Sequence, residues 1–237
     1  MIVMRSVLIW FVSGISAGLL GLAVYYFWVL KSLPIGDYRG DPLTNIGTDS
    51  AVKSLPEEAV NQKKSKLAEL EKRLRENPKD VTAWLEVSLA KKFFNNYKGA
   101  VDALEYAKTL APDDFLVHYN LANIYGFYLR DFERAEENYE IARSRAGGFQ
   151  MATVYLSMAE LYRDFHKEKF DQVDDVLLDG LRLVPNDPNL MLNLAFYYKA
   201  IGDKTNAVKY FKKLVEPGAG LGGEQELQIE QEIKELE

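Results

Sequence analysis

The feature that most constrains this chain is a self-similarity with a period near 34 residues, which is the length of two short helices and their turns. A bulky side chain early in a first helix recurs at Trp84, His118, Tyr155 and Met191, and a small one follows four residues later at Ser88, Ala122, Ala159 and Ala195. A second helix opens at Tyr97, Phe132, Phe170 and Lys204, with Ala100, Ala135, Val173 and Ala207 three residues on. Leu104, Tyr139, Leu177 and Phe211 come next, then Ala107, Ala142, Gly180 and Leu214. Pro112 and Pro185 close two of the pairs. Antiparallel helices that cross closely need a small residue at the crossing and a large one beside it. Proline ends the second helix because it has no N–H and its ring clashes with the preceding turn. One pair cannot bury its apolar faces alone, so neighbours must stack into a solenoid.

These residues resemble the tetratricopeptide repeat (TPR) family over roughly 78–217, about two-thirds of the chain. The first pair, Val81 to Asp114, fits the 34-residue pattern apart from Lys91, where an aromatic is usual. The fourth pair, from Pro188, fits nearly as well, with Gly202-Asp203 at the interhelix turn. The second pair has one extra residue in Gly126 to Asp131, and Gly147 stands where proline is usual; the third has two extra around Phe165 to Lys169. The resemblance implies an all-α, right-handed solenoid of about four helix pairs with flanking helices, spanning 56–217. It also implies an adaptor that holds other proteins or extended peptides, and no cofactor.

Val7 to Leu30 is a run of 24 residues without a charge. At about 1.5 Å per residue it reaches roughly 36 Å, enough for a bilayer core of about 30 Å. Trp10 and Phe11 near one end, and Tyr25, Tyr26, Phe27 and Trp28 near the other, suit the two headgroup belts. A cleaved signal peptide would have a shorter apolar region and a small-residue cleavage site, and neither is present. Residues 1–31 are therefore read as an uncleaved transmembrane anchor. Gly14, Ala17, Gly18 and Gly21 form a smooth stripe on which a second membrane helix could pack, although glycine is also simply common in such helices. Arg5 on one side and Lys31 and Arg39 on the other leave the orientation close to a tie. Leu67 to Trp84, LAELEKRLRENPKDVTAW, is similar to the start of the TPR domain in bacterial cytochrome c biogenesis factors. That likeness implies an inner-membrane protein with its repeats on the periplasmic side. A mitochondrial import receptor of TPR type would share the layout with a cytosolic face.

Residues 32–55 contain Pro34, Gly36, Gly40, Pro42 and Gly47 without sustained periodicity, and read as a flexible tether. A helix follows Pro56, with Leu67, Leu70 and Leu74 on one stripe. At the other end, 218–237 reads as a Gly-rich turn and an acidic helix. Glu224 to Glu237 holds six Glu and one Lys, and so carries −5 of the chain's −6. Ile229, Ile233 and Leu236 give that helix one apolar stripe, which suits a solenoid cap; a frayed acidic tail is the alternative.

The chain has no cysteine, which excludes disulfides, thiolate metal sites and cysteine nucleophiles. The acidic balance argues against nucleic acid. Gly218-x-Gly220-x-x-Gly223 matches a dinucleotide fingerprint literally, but no strand precedes it, so a turn is expected. His118 falls at a bulky packing position, and His166 in a stretched turn where exposure is expected. No phosphate loop, nucleophile elbow or zinc motif is present, so neither an enzyme nor a metal site is expected.

By the family pattern, first helices line the concave side. The residues implied there are Leu85, Leu89 and Phe93, then Tyr119, Asn120, Asn123 and Phe127. Leu156, Glu160 and Arg163 follow in the third pair, and Asn189, Leu192, Asn193 and Phe196 in the fourth. Aromatics interleaved with amides suit an extended peptide, although some of these rings could instead be core. Leu85 and Leu89 stand where a carboxylate-clamping TPR domain carries polar residues, which disfavours that role. Two readings therefore compete: an adaptor with a peptide groove, and a fixed accessory subunit of a membrane complex docked through its transmembrane stripe.

Overall fold

The computed structural model describes residues 34–48, 52–53, 55–216 and 222–237, and every regular element among them is helical. α1 is Glu57–Glu76, α2 Val81–Phe93, α3 Tyr97–Leu110, α4 Phe115–Asn123 and α5 Phe132–Arg145. α6 is Phe149–Glu160, α7 Val173–Leu183, α8 Pro188–Ala200, α9 Lys204–Leu214 and α10 Gly223–Leu236. The helices pack in sequential pairs, α2 on α3, α4 on α5, α6 on α7 and α8 on α9, with α1 against α2 and α10 against α9. The apolar run Val7–Leu30, with Gly14, Ala17, Gly18 and Gly21, lies outside the described residues, as does the stretch 217–221. Among the described residues no helix is long and apolar enough to cross a membrane.

The bulky and small positions of the repeat build the core. Trp84, His118, Tyr155 and Met191 are all buried, as are Ser88, Ala122, Ala159 and Ala195. Ala100, Ala107, Ala135, Ala142 and Ala207 have no solvent access, because two helix backbones close over each. The Trp84 indole N–H donates to the Pro78 carbonyl at 2.8 Å. His118 repeats that contact one period later, its Nε2 lying 2.8 Å from the Pro112 carbonyl. The imidazole thus occupies the place of the indole, with a carbonyl oxygen, which can only accept, against each ring nitrogen, so a neutral ring donates to one of the two. His118 Nδ1 pairs with Asn138 Oδ1 at 2.9 Å, which leaves this histidine a packed core residue.

The extra residues of the second and third pairs are absorbed without shifting the register. α4 continues as a π-helical segment, Ile124–Leu129, and α6 as another, Leu161–Phe165. A π turn widens the helix to hold one more residue per turn. The second pair then turns at Arg130, which takes the left-handed conformation with φ 59°. The third continues through a 3₁₀ segment, Lys167–Gln172. His166, expected exposed, is instead half-buried: it stacks on Phe132 with centroids 4.3 Å apart and sets Nδ1 3.3 Å from Glu136. The long turn folds back on α5 rather than projecting into solvent.

Acidic and amide caps start most helices. Asp80, Asp114, Asp131, Asp187 and Asp203 each accept a backbone N–H from the first turn, and Asn96 does the same for α3. Such a cap contributes on the order of 1 kcal/mol. The third pair has neither, since α6 begins at Gly148 and α7 at Gln172 without a side-chain cap. At the C-terminus, α10 is docked rather than frayed: Ile229 is buried, Glu232 meets Lys199, and Lys212 reaches Glu237 at 2.7 Å.

Within the expected tether, residues 34–48 form a strap packed on the first pair. Ile35, Tyr38 and Leu43 are buried. The Tyr38 ring lies 4.6 Å from Trp84 and 5.6 Å from Tyr106. Lys91 has no solvent access and extends its ammonium to Asp41 Oδ2 at 2.5 Å and to the carbonyls of Pro42 and Asn45 at 2.8 and 3.0 Å. The departure from the aromatic pattern at Lys91 is therefore the anchor of the strap. Asp102 accepts the Asp41 backbone N–H at 3.0 Å, and Asn96 donates to Asp41 Oδ2 at 2.9 Å. Gly40 is required because a Cβ there would fall 2.6 Å from Asp102 Cβ.

Three outcomes are expected. Ala100→Phe should overpack the first crossing and cost about 1–3 kcal/mol in denaturant unfolding. In native-state hydrogen exchange, α6 and α7 should open before α2–α5, because they lack caps. The third concerns acid. Burial pushes the Asp41 carboxyl up, but hydrogen bonds from Lys91, Asn45 and Asn96, together with the Lys91 charge, outweigh it and hold its pKa below the ordinary 3.8. A carboxylate with a lowered folded pKa contributes stability above its unfolded value and loses it as pH falls through the folded one. Below about pH 4 the strap should therefore loosen, read as a red shift of Trp84 emission that Asp41→Asn shows already at neutral pH.

Candidate protein-interaction face

The first helices α4, α6 and α8 meet side by side. The Tyr119 hydroxyl of α4 meets Ser157 Oγ of α6 at 2.9 Å. Arg163, in the π segment after α6, donates to Asn193 Oδ1 of α8 at 3.1 Å. None of the residues implied for this face is fully buried. Leu89, Glu160, Asn189 and Phe196 are exposed, with Leu89 at 47% and Phe196 at 43%. Leu85, Phe93, Tyr119, Asn120, Asn123, Phe127, Leu156, Arg163, Leu192 and Asn193 are half-buried. The residues between them on the same helices, such as Val87, Leu121, Met158 and Leu194, form the core.

The amides are more committed than sequence suggests. Asn193 donates to the Asn189 carbonyl at 2.9 Å while accepting from Arg163, so it works as a strut between the third and fourth pairs. Asn123 Oδ1 accepts from the Tyr139 hydroxyl at 2.6 Å. Burial pushes the Tyr139 pKa far up, which keeps that hydroxyl a donor. Asn120 donates to the Leu116 carbonyl at 2.7 Å. Arg163 also pairs with Asp164 at 2.8 Å. The Arg163 guanidinium holds the Asp164 carboxyl below the usual carboxylate range, so the pair adds little net charge to the face.

The rings cluster where the π segments meet. Phe127 packs edge-on against Phe165 with centroids 5.2 Å apart, and the Arg130 guanidinium lies 4.0 Å from the Phe165 ring. Gly126 permits this approach, since a Cβ there would fall 2.8 Å from Leu161 Cδ1. Two adjoining hollows share Leu192 and Phe196. One, of about 450 Å³, is lined by Arg163, Phe170, Asn193, Tyr197 and Ala200. The other, of about 330 Å³, lies between α8 and α10 and is walled by Gln225, Gln228, Ile229, Gln231, Glu232 and Glu235. Sequence reasoning left out Phe170, Phe165 and the α10 side chains. Phe165 lies in the stretched turn, whose path the pattern does not specify; Phe170, expected to open the second helix, falls instead in the 3₁₀ segment before α7, and the α10 register depends on how the cap docks.

Fold and face together define an all-α helical-repeat solenoid with one open face built from its first helices. Residues 188–216 match the tetratricopeptide repeat family. Among solved structures, the type IV pilus biogenesis factor PilW is similar at TM-score 0.55 and 18% identity, covering 83% of this chain and 91% of PilW. MamA is similar at TM-score 0.51 and 17% identity, covering 70% of this chain and 87% of MamA. At such identities the likeness shows the fold alone. No curated protein sequence matches the chain.

The strut has a measurable consequence. Arg163→Ala should free the Asn193 oxygen and loosen the join between the third and fourth pairs, costing about 1–2 kcal/mol in thermal or denaturant unfolding. An unchanged stability would mean that the join rests on the apolar contacts alone.

Proposed function

We propose that this chain is a membrane-anchored TPR adaptor that gathers a partner protein on its first-helix face. The observation that carries the reading is the open face itself: Leu89, Leu192 and Phe196 keep solvent access along a surface whose surrounding core is closed. Leu192 and Phe196 wall two adjoining hollows, and exposed apolar side chains beside such hollows are what an extended segment of another protein needs. Beside its apolar side chains the face carries the Asn120, Asn123, Asn189 and Asn193 amides, the exposed Glu160 and the Arg163–Asp164 pair, a mixture suited to holding a peptide backbone. Anchoring comes from Val7–Leu30, and a periplasmic position for the solenoid follows the likeness of Leu67–Trp84 to cytochrome c biogenesis factors.

The test is to solubilise the full chain in mild detergent, identify the chain that co-purifies, and measure its affinity for variants. Leu89→Ser and Phe196→Ser together should leave the helical spectrum unchanged and weaken the partner by at least about ten-fold, each lost contact being worth on the order of 1–2 kcal/mol. Full affinity in that variant would favour the accessory-subunit reading, with docking through Gly14, Ala17, Gly18 and Gly21. Protease added after the outer barrier is opened should digest the solenoid; protection until the inner membrane is lysed would reverse the orientation.

A further inference from the structure

The docked strap converts a chain length into a position. The inference rests on reading Val7–Leu30 as a membrane span. Leu30 ends that run, and Ile35, only 6% exposed, is the first described residue buried in the solenoid. The two are five residues apart in sequence. Five residues reach at most about 18 Å when fully extended. Crossing the headgroup layer uses about 5–8 Å of this. About 10 Å remains, no more than the width of one helix.

Where the strap meets the solenoid is also defined. Gly36 sits at φ 55°, and a Cβ on it would fall 2.8 Å from Pro78 Cβ, so the chain arrives at the turn between α1 and α2. Exposed around that point are Lys79, next to Pro78, and Arg39, whose guanidinium donates to the Gly36 carbonyl at 3.0 Å. Asp37 and Glu76 are exposed in the same sequence stretches, so the corner is mixed in sign. Charge alone would hold it only weakly at a lipid surface; the short connection does the holding. We propose that the α1–α2 corner, around Gly36, Pro78 and Lys79, lies against the lipid headgroups. The solenoid is thus seated on the bilayer rather than suspended from it.

The absence of cysteine makes the test direct, because Lys79→Cys gives a single attachment point for a fluorescent dye. The full chain is placed in phosphatidylcholine nanodiscs with and without a headgroup-nitroxide lipid. Most of the emission at 79 should be lost with the nitroxide. Inserting 20 Gly/Ser residues before Pro34, with a root-mean-square reach of about 25 Å, should restore most of it. Emission that ignores the nitroxide, or quenching that survives the insertion, overturns the proposal. Emission that follows the number of chains per disc rather than the nitroxide would assign the corner to a second copy, and also overturns it. A chain that does not stay with the disc at all defeats the anchor reading, and this proposal with it.

Discussion

Everything in this solenoid depends on how closely each first helix crosses its second. Ala100 and Ala107, Ala135 and Ala142, and Ala207 are sealed from solvent at those crossings, while Trp84, His118, Tyr155 and Met191 fill the space beside them. In the first two pairs a side chain larger than a methyl would hold the backbones apart and open voids around the bulky partner; the third pair sets Val173 beside Gly180, and the fourth Ala207 beside Leu214, at the equivalent positions. Close crossing also fixes which helix faces remain. Each pair spends its inner face on itself and its flanks on its neighbours, and one face of each first helix is left over. The open surface carrying Leu89, Leu192 and Phe196 is therefore a consequence of the packing rule and not an addition to it.

The same constraint explains how insertions are handled. An extra residue placed within a crossing would move every later contact, so the second and third pairs take theirs beyond the crossing. Ile124–Leu129 and Leu161–Phe165 widen into π turns there. The widening brings Phe127 against Phe165 and lets Arg130 cover that ring. Departures from the regular repeat thus add aromatic surface between the second and third pairs, while Ala135 and Ala142 keep their buried places.

Lys91 shows how one substitution recruits a whole segment. An ammonium at a position usually aromatic would be costly to bury alone. Here Asp41 and the carbonyls of Pro42 and Asn45 surround it, and those groups come from a strap far away in sequence. Burial pushes the Lys91 pKa down, and the Asp41 and Asp102 charges only partly restore it. The pair is thus best understood as fixing where the strap sits rather than as a large source of stability. Tyr38, against Trp84 and Tyr106, supplies the apolar part of that contact.

The repeat period, the helix pairs and the buried bulky and small positions were legible in the sequence, because all are local rules: helix periodicity and the size needed at a crossing. The first-helix residues named for the face came from the resemblance to the TPR family, whose pattern puts the first helices on the concave side. Tertiary structure decided the rest. Residues 34–48 looked like a tether because Ile35, Tyr38 and Leu43 have no period, and only the opposing surface of Trp84, Lys91 and Tyr106 gives them somewhere to be buried. The role of Asn193 as a strut depends on Arg163, thirty positions away, and sequence spacing does not measure that separation in space. The shape of the C-terminal end depends on where α10 docks, because its Glu and Gln residues acquire neighbours only when Ile229 finds the solenoid.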